Sequence, residues 1–122
     1  MNGKELHDCA KAYAETMPGS EADFPFGPDH LVYRVEKKIF LFVSEVHGQR
    51  VITVKTEPEQ GMINRQIFAG IKGGYHMNKK HWITVLPDSD VDDSLVRDLV
   101  KASYQEVVKK LPKSMRLALL KV

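Results

Sequence analysis

The sequence predicts an α+β fold, a two-layer sandwich in which helices cover one face of an antiparallel sheet. Three segments rich in β-branched and aromatic residues follow one another at 31–36, 39–46 and 50–55. The residues between them are few enough for hairpin turns, so the segments should be antiparallel neighbours. Apolar residues recur at helical spacing at both ends of the chain, and the resulting helices need a sheet to pack on.

The first helix should begin at Asn2, which can cap it together with Glu5 three residues later, and it should end at Pro18. Its apolar positions recur at helical spacing and are Leu6, Cys9, Ala10, Tyr13 and Met17. The following segment, residues 20–30, contains two prolines. We therefore expect a structured loop there, anchored by Phe26.

Helices should return after the three strands. Thr56 can cap a second helix, which runs to Gly70 and is carried by Met62, Ile63, Gln66 and Ile67. A further strand should begin at Trp82, and Asp90 should cap a long helix. The buried stripe of that helix consists of Val96, Leu99, Val100, Ser103, Tyr104, Val107 and Leu111. A last helix, residues 113–121, should bury Leu117 and Leu120.

Size and composition are typical of a single globular domain spanning residues 1–122, with 43% hydrophobic and 28% charged residues. The single cysteine, Cys9, excludes an internal disulfide and is typical of a reducing cytoplasm. No apolar run is long enough to span a bilayer, and no apolar signal segment follows Met1. We therefore expect a cytoplasmic protein with no membrane partner.

Charge is unevenly distributed although the formal net charge is only +2. Residues 1–30 hold two lysines against six acidic residues, whereas residues 31–86 hold nine Lys or Arg against four acidic residues. Near the C-terminus no acidic residue interrupts the run of Lys109, Lys110, Lys113, Arg116 and Lys121. A local positive field of this kind can attract an anionic partner, although a solvated mixed surface would give the same counts.

The segment from Gly73 to Trp82 combines cations and aromatic rings behind two glycines, which indicates a hairpin. Lys79 and Lys80 suit phosphate contact, and Tyr75, His76 and Trp82 can stack on bases or line a groove. Asn78 and the glycines should shape the turn, and Trp82 is expected to be a core residue at the start of a strand.

Several motifs resemble those of the MmcQ/YjbR family and occur in the family's order along nearly the whole chain. They are Pro25-Phe26-Gly27, Lys55-Thr56-Glu57-Pro58-Glu59, Gly74 to Lys79 with His81 to Val85, Ser103-Tyr104 and Leu111-Pro112-Lys113. The resemblance implies a fold like that of the bacterial frataxin homologue CyaY. It also implies a "double wing" DNA-binding role, in which hairpins act as wings.

Metal binding and catalysis receive little support from the residues, so we expect no metal, no other cofactor and no enzymatic activity. His76 and His81 lie five residues apart with no cysteine nearby, and acids on the first helix are diluted by basic residues. Cys9 should be a small core hydrophobe, and Ser103 lacks the turn that exposes a serine nucleophile.

Two functions remain open at this stage. In the first the protein binds DNA, and the candidate contact residues are Arg50, Lys55, Lys72, Tyr75, His76, Lys79 and Lys80. In the second it binds a protein partner or a small ligand on an exposed face of the sheet, where Tyr33, Phe40 and Phe42 would form an apolar patch. If the basic residues of the hairpin at 73–82 and those near the C-terminus share one face, DNA binding is favoured. If they scatter and a concave apolar pocket lies elsewhere, the alternative is favoured.

Overall fold

A computed structural model describes residues 1–120 of the chain. The helices are α1 (Gly3–Ala14), α2 (Pro58–Ile67), α3 (Asp93–Val108) and α4 (Lys113–Leu120). The strands are β1 (Ser20–Asp23), β2 (Leu31–Val35), β3 (Lys38–Val46), β4 (Gln49–Lys55), β5 (Ile71–Gly73) and β6 (Trp82–Val85). The strands form one antiparallel sheet in the order β1-β2-β3-β4-β6-β5, and α1 and α3 pack together against it. The predicted α+β class is thus confirmed.

The predicted cap of α1 is confirmed, whereas α2 and α3 are capped by different residues from those predicted. Asn2 Oδ1 accepts a hydrogen bond from Glu5 N at 2.8 Å, and Glu5 Oε1 accepts one from Asn2 N at the same distance. Glu57 rather than Thr56 caps α2, because a Pro at the first helical position places the cap directly before it. Asp92 caps α3, and Asp90 instead accepts hydrogen bonds from the backbone between α2 and β5.

Residues 20–30 are only partly a loop. Strand β1 occupies the first four of them and pairs with β2 at the edge of the sheet. An edge strand needs backbone partners on one side only, so the prolines that follow it do not prevent pairing. Phe26 is not the predicted anchor, since its side chain is 63% exposed.

The strand register separates two faces of the sheet, because paired residues share a face and successive residues alternate. Leu41 and Val43 of β3 oppose Val54 and Ile52 of β4, and these side chains belong to the core beneath α1 and α3. The other face, which we call the outer face, carries Phe42, Thr53, Thr84, Lys55 and Trp82.

A bulge in β3 places Phe40 in the core next to Leu41. Tyr33 pairs with Leu41 and Arg34 pairs with Ile39, so Phe40 is left without a partner on β2. Tyr33 and Phe40 are 2% and 0% exposed, and neither contributes to an exposed apolar patch. That prediction was wrong for Phe40 because the bulge turns it into the core, and for Tyr33 because it pairs with the core residue Leu41. Of the three residues, Phe42 alone lies on the outer face.

The buried hydroxyl of Ser103 links helix α3 to the sheet through two hydrogen bonds. The hydroxyl donates a hydrogen bond to Phe40 O at 2.6 Å and accepts one from Lys55 N at 2.8 Å. Ser103 therefore satisfies one backbone group on β3 and one on β4. The predicted buried stripe of α3 is confirmed around it.

The two short helices expose residues that the pattern assigned to the interior. In α4, Leu117 and Leu120 are 47% and 80% exposed, and Leu119 is buried instead, where it packs against Gly19. In α2, the buried positions are Gly61 and Asn64, and the apolar residues Met62, Ile63 and Ile67 are exposed. Residue Lys121, predicted to end α4, lies outside the described residues. In the described part, no helix has the length and apolar character needed to cross a membrane.

Candidate nucleic-acid interface

Lysines from separate chain segments meet at one end of the sheet. Strand β3 begins at Lys38, β4 ends at Lys55 and β6 begins at Trp82, so antiparallel pairing places these three residues at the same end. Lys110, just after α3, and Lys37, in the β2–β3 turn, lie beside them. We call Lys37, Lys38, Lys55 and Lys110 the lysine cluster. Glu36 and Lys37 form the turn, at φ 48° and 67°, whereas Lys38, predicted as a turn residue, begins β3.

The lysine cluster surrounds a cavity of about 490 Å³ whose other walls are apolar. Those walls are Ile39, Phe42, Trp82, Val107 and Leu111. The rings of Phe42 and Trp82 meet edge to face, with centroids 5.5 Å apart and planes at 72°. Trp82 is thus a half-buried residue of the outer face rather than the core residue that the sequence suggested. Its prediction as the first residue of a strand is confirmed.

Positive charge at this cavity is only partly neutralised. Burial and the neighbouring Lys110 ammonium lower the pKa of Lys55, with smaller contributions in the same direction from Lys38 and Lys109, whereas Glu106 raises it. The Glu106 carboxylate is itself bound to Lys109 Nζ at 2.5 Å. Among residues 1–120 the four members of the lysine cluster form no salt bridge. The cavity therefore presents cations without matching anions.

The loop between β5 and β6 is the predicted hairpin, and Asn78 builds its turn as expected, whereas Gly73 ends strand β5. Asn78 O accepts hydrogen bonds from His81 N and Trp82 N, and Asn78 Oδ1 accepts one from Lys80 N at 2.8 Å. A Cβ atom on Gly74 would lie 2.8 Å from that of Trp82, so a side chain cannot be placed there without a shift. Both lysines of this loop are exposed, and Lys79 Nζ donates to Gly74 O at 3.1 Å. Because the loop leads into the start of β6, these lysines flank the lysine cluster.

Tyr75 and His76 lie over the outer face, away from the lysine cluster. Tyr75 N donates to Thr84 Oγ1, which is hydrogen-bonded to Thr53 Oγ1, and the Tyr75 ring approaches His47 with centroids 6.2 Å apart. Both residues line a second cavity of about 680 Å³, whose walls include Phe26, Phe42, Val46 and Met77. Phe42 is common to the two cavities.

Arg50 and Lys72 do not join the lysine cluster. Arg50 pairs with Glu45 and precedes Lys55 by five residues on β4, a separation of roughly 17 Å at strand geometry. It lines a cavity of about 740 Å³ in which acidic and basic side chains alternate, so that cavity has no dominant sign of charge. Lys72 pairs with Thr84 on the edge strand β5, where it is exposed and near the carboxylate of Asp90. Of the predicted contact residues, Lys55 alone lines the cavity of the lysine cluster, and Lys79 and Lys80 lie in the loop that leads into Trp82.

The residues considered for catalysis make contacts that support the fold, and the residues considered for metal binding do not converge within residues 1–120. Cys9 packs against the core, and burial raises the pKa of its thiol, which opposes formation of a reactive thiolate. Ser103 is committed to two backbone groups. Within residues 1–120, no three His, Cys, Asp or Glu side chains are arranged to hold a metal ion.

Comparison with known proteins agrees with this fold. A protein-family model described as YjbR matches residues 15–106. The chain belongs to the YjbR family. Uncharacterized protein YbdF of Escherichia coli O157:H7 is 42% identical to this YjbR-family chain over 113 residues, which cover 93% of both proteins. Uncharacterized protein YjbR of Escherichia coli K12 is 35% identical over 104 residues, which cover 85% of this chain and 88% of the relative. Neither name gives an enzymatic activity.

Solved structures of similar proteins share the architecture of this YjbR-family member. The crystal structure of Deinococcus radiodurans protein DR2400, which carries the domain DUF419, has a TM-score of 0.83 at 32% identity and covers 92% of this chain and 86% of its own. A crystal structure of a Pseudomonas syringae protein has a TM-score of 0.71 at 28% identity, covering 87% of this chain and 98% of its own.

Sequence reasoning missed Lys37, Lys38 and Lys110 as members of a site. The signals were present: Lys37-Lys38 is a doublet in a turn, and Lys110 belongs to the C-terminal basic run without acids. Their convergence depends on how α3 lies across the sheet, which local sequence does not specify. Lys37-Lys38 and Lys110 are some 70 residues apart in the sequence, and nothing in the sequence indicates that they share one surface.

Proposed function

We propose that this YjbR-family protein binds DNA without enzymatic activity, and that the lysine cluster makes the central phosphate contacts. The observation that carries the proposal is the convergence of Lys38, Lys55 and Lys110 from β3, β4 and the end of α3 around one cavity. Burial, and after it the repulsion from Lys110 and to a smaller extent from Lys38, lowers the pKa of Lys55. A phosphate backbone supplies closely spaced anions that would relieve this repulsion.

The proposal changes the set of contact residues. Lys55 remains central, Lys79 and Lys80 become flanking contacts, and Lys37, Lys38 and Lys110 are added. Tyr75 and His76 are assigned to the second cavity, and Arg50 on β4 and Lys72 on the edge strand β5 do not line the cavity of the lysine cluster. Because lysine carries a flexible point charge, this surface suits contacts with the backbone rather than recognition of a base sequence.

The salt dependence of binding tests this proposal directly. Neutralising four phosphates predicts that the logarithm of the association constant falls with the logarithm of salt concentration with a slope of about −3 to −4. The measurement is fluorescence anisotropy of a labelled short duplex at several salt concentrations. Absence of binding at low salt, or binding that does not respond to salt, would rule out the proposed interface.

Replacing Lys55 with methionine should stabilise the fold while weakening DNA binding. The lowered pKa means that the folded state disfavours the Lys55 charge, so its removal should raise the free energy of unfolding, by less than about 1 kcal/mol because solvent screens the site. The folded state loses this proton at a lower pH than the unfolded state does. The gain should therefore be complete well below the ordinary lysine value of 10.5 and shrink as pH rises toward it.

Urea denaturation at neutral and alkaline pH measures this effect, and Lys101→Met, an exposed change on α3, is the matched control. If Lys55→Met proves less stable than the unmodified protein at neutral pH, Lys55 serves the fold through its packing and is not a strained binding residue.

A second candidate function is binding of a small ligand in the outer-face cavity lined by Tyr75 and His76. Its volume of about 680 Å³ is within the usual range for ligand pockets, and Phe26, Phe42 and Met77 give it apolar walls. This is the separate apolar pocket that favours the alternative reading of the sequence. Under this alternative the lysine cluster has no role in function, so charge reversal there would leave function intact.

A further inference from the structure

The lysine cluster has a feature that phosphate contact alone does not require. Cations on a flat surface suffice to bind a DNA backbone, yet these lysines stand at the rim of a cavity with an aromatic and aliphatic lining. Lys55 and Trp82 are directly paired across β4 and β6, so a cation and an indole ring lie side by side on the same face. The cavity therefore suits a ligand with a flat apolar ring and an anionic group close to it.

We propose that the cavity between Phe42, Trp82 and the lysine cluster accommodates one unpaired nucleobase, with the adjoining phosphate held by the lysines. This inference rests on the proposed DNA-binding function and adds to it a preference for single-stranded over double-stranded DNA. The same base-and-phosphate chemistry is present in a free nucleotide and in a strand, and the two sources differ in how many phosphates the protein can engage.

The dimensions and the ring geometry agree with this ligand. A volume of about 490 Å³ lies within the range of small-molecule pockets, which is roughly 300–1,000 Å³. The edge-to-face contact with Phe42 fixes the orientation of the Trp82 ring, so a base would stack on an already positioned indole. Bases in a duplex are stacked on their neighbours and paired, and they reach such a pocket only when flipped out, at a cost in free energy.

Ring stacking also distinguishes a nucleic acid from an acidic peptide. Carboxylates would satisfy the lysines but would leave Phe42, Trp82 and Leu111 without a flat partner. The peptide group that combines a ring with a phosphate is phosphotyrosine, and a titration with O-phosphotyrosine distinguishes that ligand from a nucleotide. Stacking on aromatic side chains tolerates any base, so the cavity predicts no strong sequence preference.

Trp82 is the only tryptophan of the chain, so its fluorescence reports on this cavity alone. We expect dAMP to quench this fluorescence in a saturable manner and deoxyribose 5-phosphate, which lacks the base, to leave it unchanged. A short deoxyadenosine oligonucleotide should quench at concentrations at least about tenfold lower than dAMP, since it engages further phosphates. In anisotropy measurements a labelled single strand should bind at least about tenfold more tightly than a duplex of equal length, because its bases are free to enter.

The variant Trp82→Leu removes the indole ring, so its DNA binding is measured by the anisotropy of labelled DNA rather than by tryptophan fluorescence. It should lose the preference for single strands and retain duplex binding, whereas Trp82→Phe, which keeps an aromatic face, should restore much of the preference. Urea denaturation of both variants confirms that they fold. Equal loss of single-strand and duplex binding in a folded Trp82→Leu protein would overturn the stacking role.

The outcomes separate this inference from the proposed function. If duplex binds as tightly as a single strand in a salt-dependent manner and dAMP does not quench Trp82, the base pocket is refuted and the DNA-binding interface stands. If neither DNA form binds at low salt, both fail. Quenching by O-phosphotyrosine without quenching by dAMP would assign the cavity to phosphorylated peptides and overturn the inference.

Discussion

Replacing Lys38 and Lys110 together with glutamate should lower the affinity for duplex DNA at least about tenfold at low salt and reduce the salt slope by about 2. These lysines come from β3 and the end of α3, and both line the same cavity. Both are exposed, so the fold should tolerate the change. The repulsion among the cations would also be replaced by attraction to Lys55, so the thermal transition should stay the same or rise slightly. Anisotropy with a labelled duplex and a thermal melt measure the two effects.

A control variant with the same change in net charge at another place shows whether the loss of DNA affinity depends on the position of the charges or only on their sum. Arg50→Glu with Arg65→Glu alters the formal charge by the same amount at exposed positions away from the lysine cluster. It should reduce affinity much less. Lys79→Glu with Lys80→Glu should fall between the two, since that loop flanks the cavity. Equal losses in all three variants would indicate nonspecific electrostatics, and unchanged binding in Lys38→Glu with Lys110→Glu would favour the small-ligand function.

Truncating Phe40 to alanine should destabilise the fold by about 3–5 kcal/mol. Its side chain is completely buried, and its ring meets that of Tyr104 edge to face with centroids 5.4 Å apart. Because Phe40 is the bulge residue between the sheet and α3, neighbouring side chains have little freedom to close the cavity left by the ring. A loss of this size is a large part of the roughly 5–15 kcal/mol by which domains are stable.

The matched control is Phe26→Ala, the same chemical change at an exposed position, which should cost less than about 1 kcal/mol. Urea denaturation measures both free energies, and a common dependence on urea concentration would show that the unfolded states are comparable. If Phe26→Ala proves as costly as Phe40→Ala, then Phe26 does anchor its loop, as the sequence alone suggested. A loss below about 1 kcal/mol for Phe40→Ala would contradict the placement of its ring in the core.

Local signals predicted most of the fold. The strands β2, β3 and β4 were predictable because each is a run rich in β-branched residues that is bounded by turn residues. Their predicted bounds agree with the structure to within one residue. The stripe on α3 was recognisable because a long helix repeats its apolar spacing over several turns. The short α4 was misread because a helix of two turns has too few positions to fix which side is buried, and Leu119 rather than Leu117 faces inward.

The site was less predictable because it depends on tertiary placement. One bulge moved Phe40 into the core and left Phe42 on the opposite face, which strict alternation from the sequence cannot reveal. The exposed lysines of the β5–β6 loop attracted notice because they are adjacent in sequence. Lys110 was recognisable as part of the C-terminal basic run, but its proximity to Lys38 was not predictable, because packing alone makes the two neighbours.

The hydrogen bonds of the Ser103 hydroxyl affect the relative positions of Lys38, Lys55 and Lys110. By bonding to Phe40 O and Lys55 N, it fixes the α3 helix, which leads into Lys110, against the strands that bear Lys38 and Lys55. A shift of the helix therefore cannot separate the backbone positions that carry these cations, so the cost of holding those positions close is met when the chain folds. In the proposed function, a phosphate then meets lysine side chains whose backbone positions already converge, and only their flexible ends have to adjust to it.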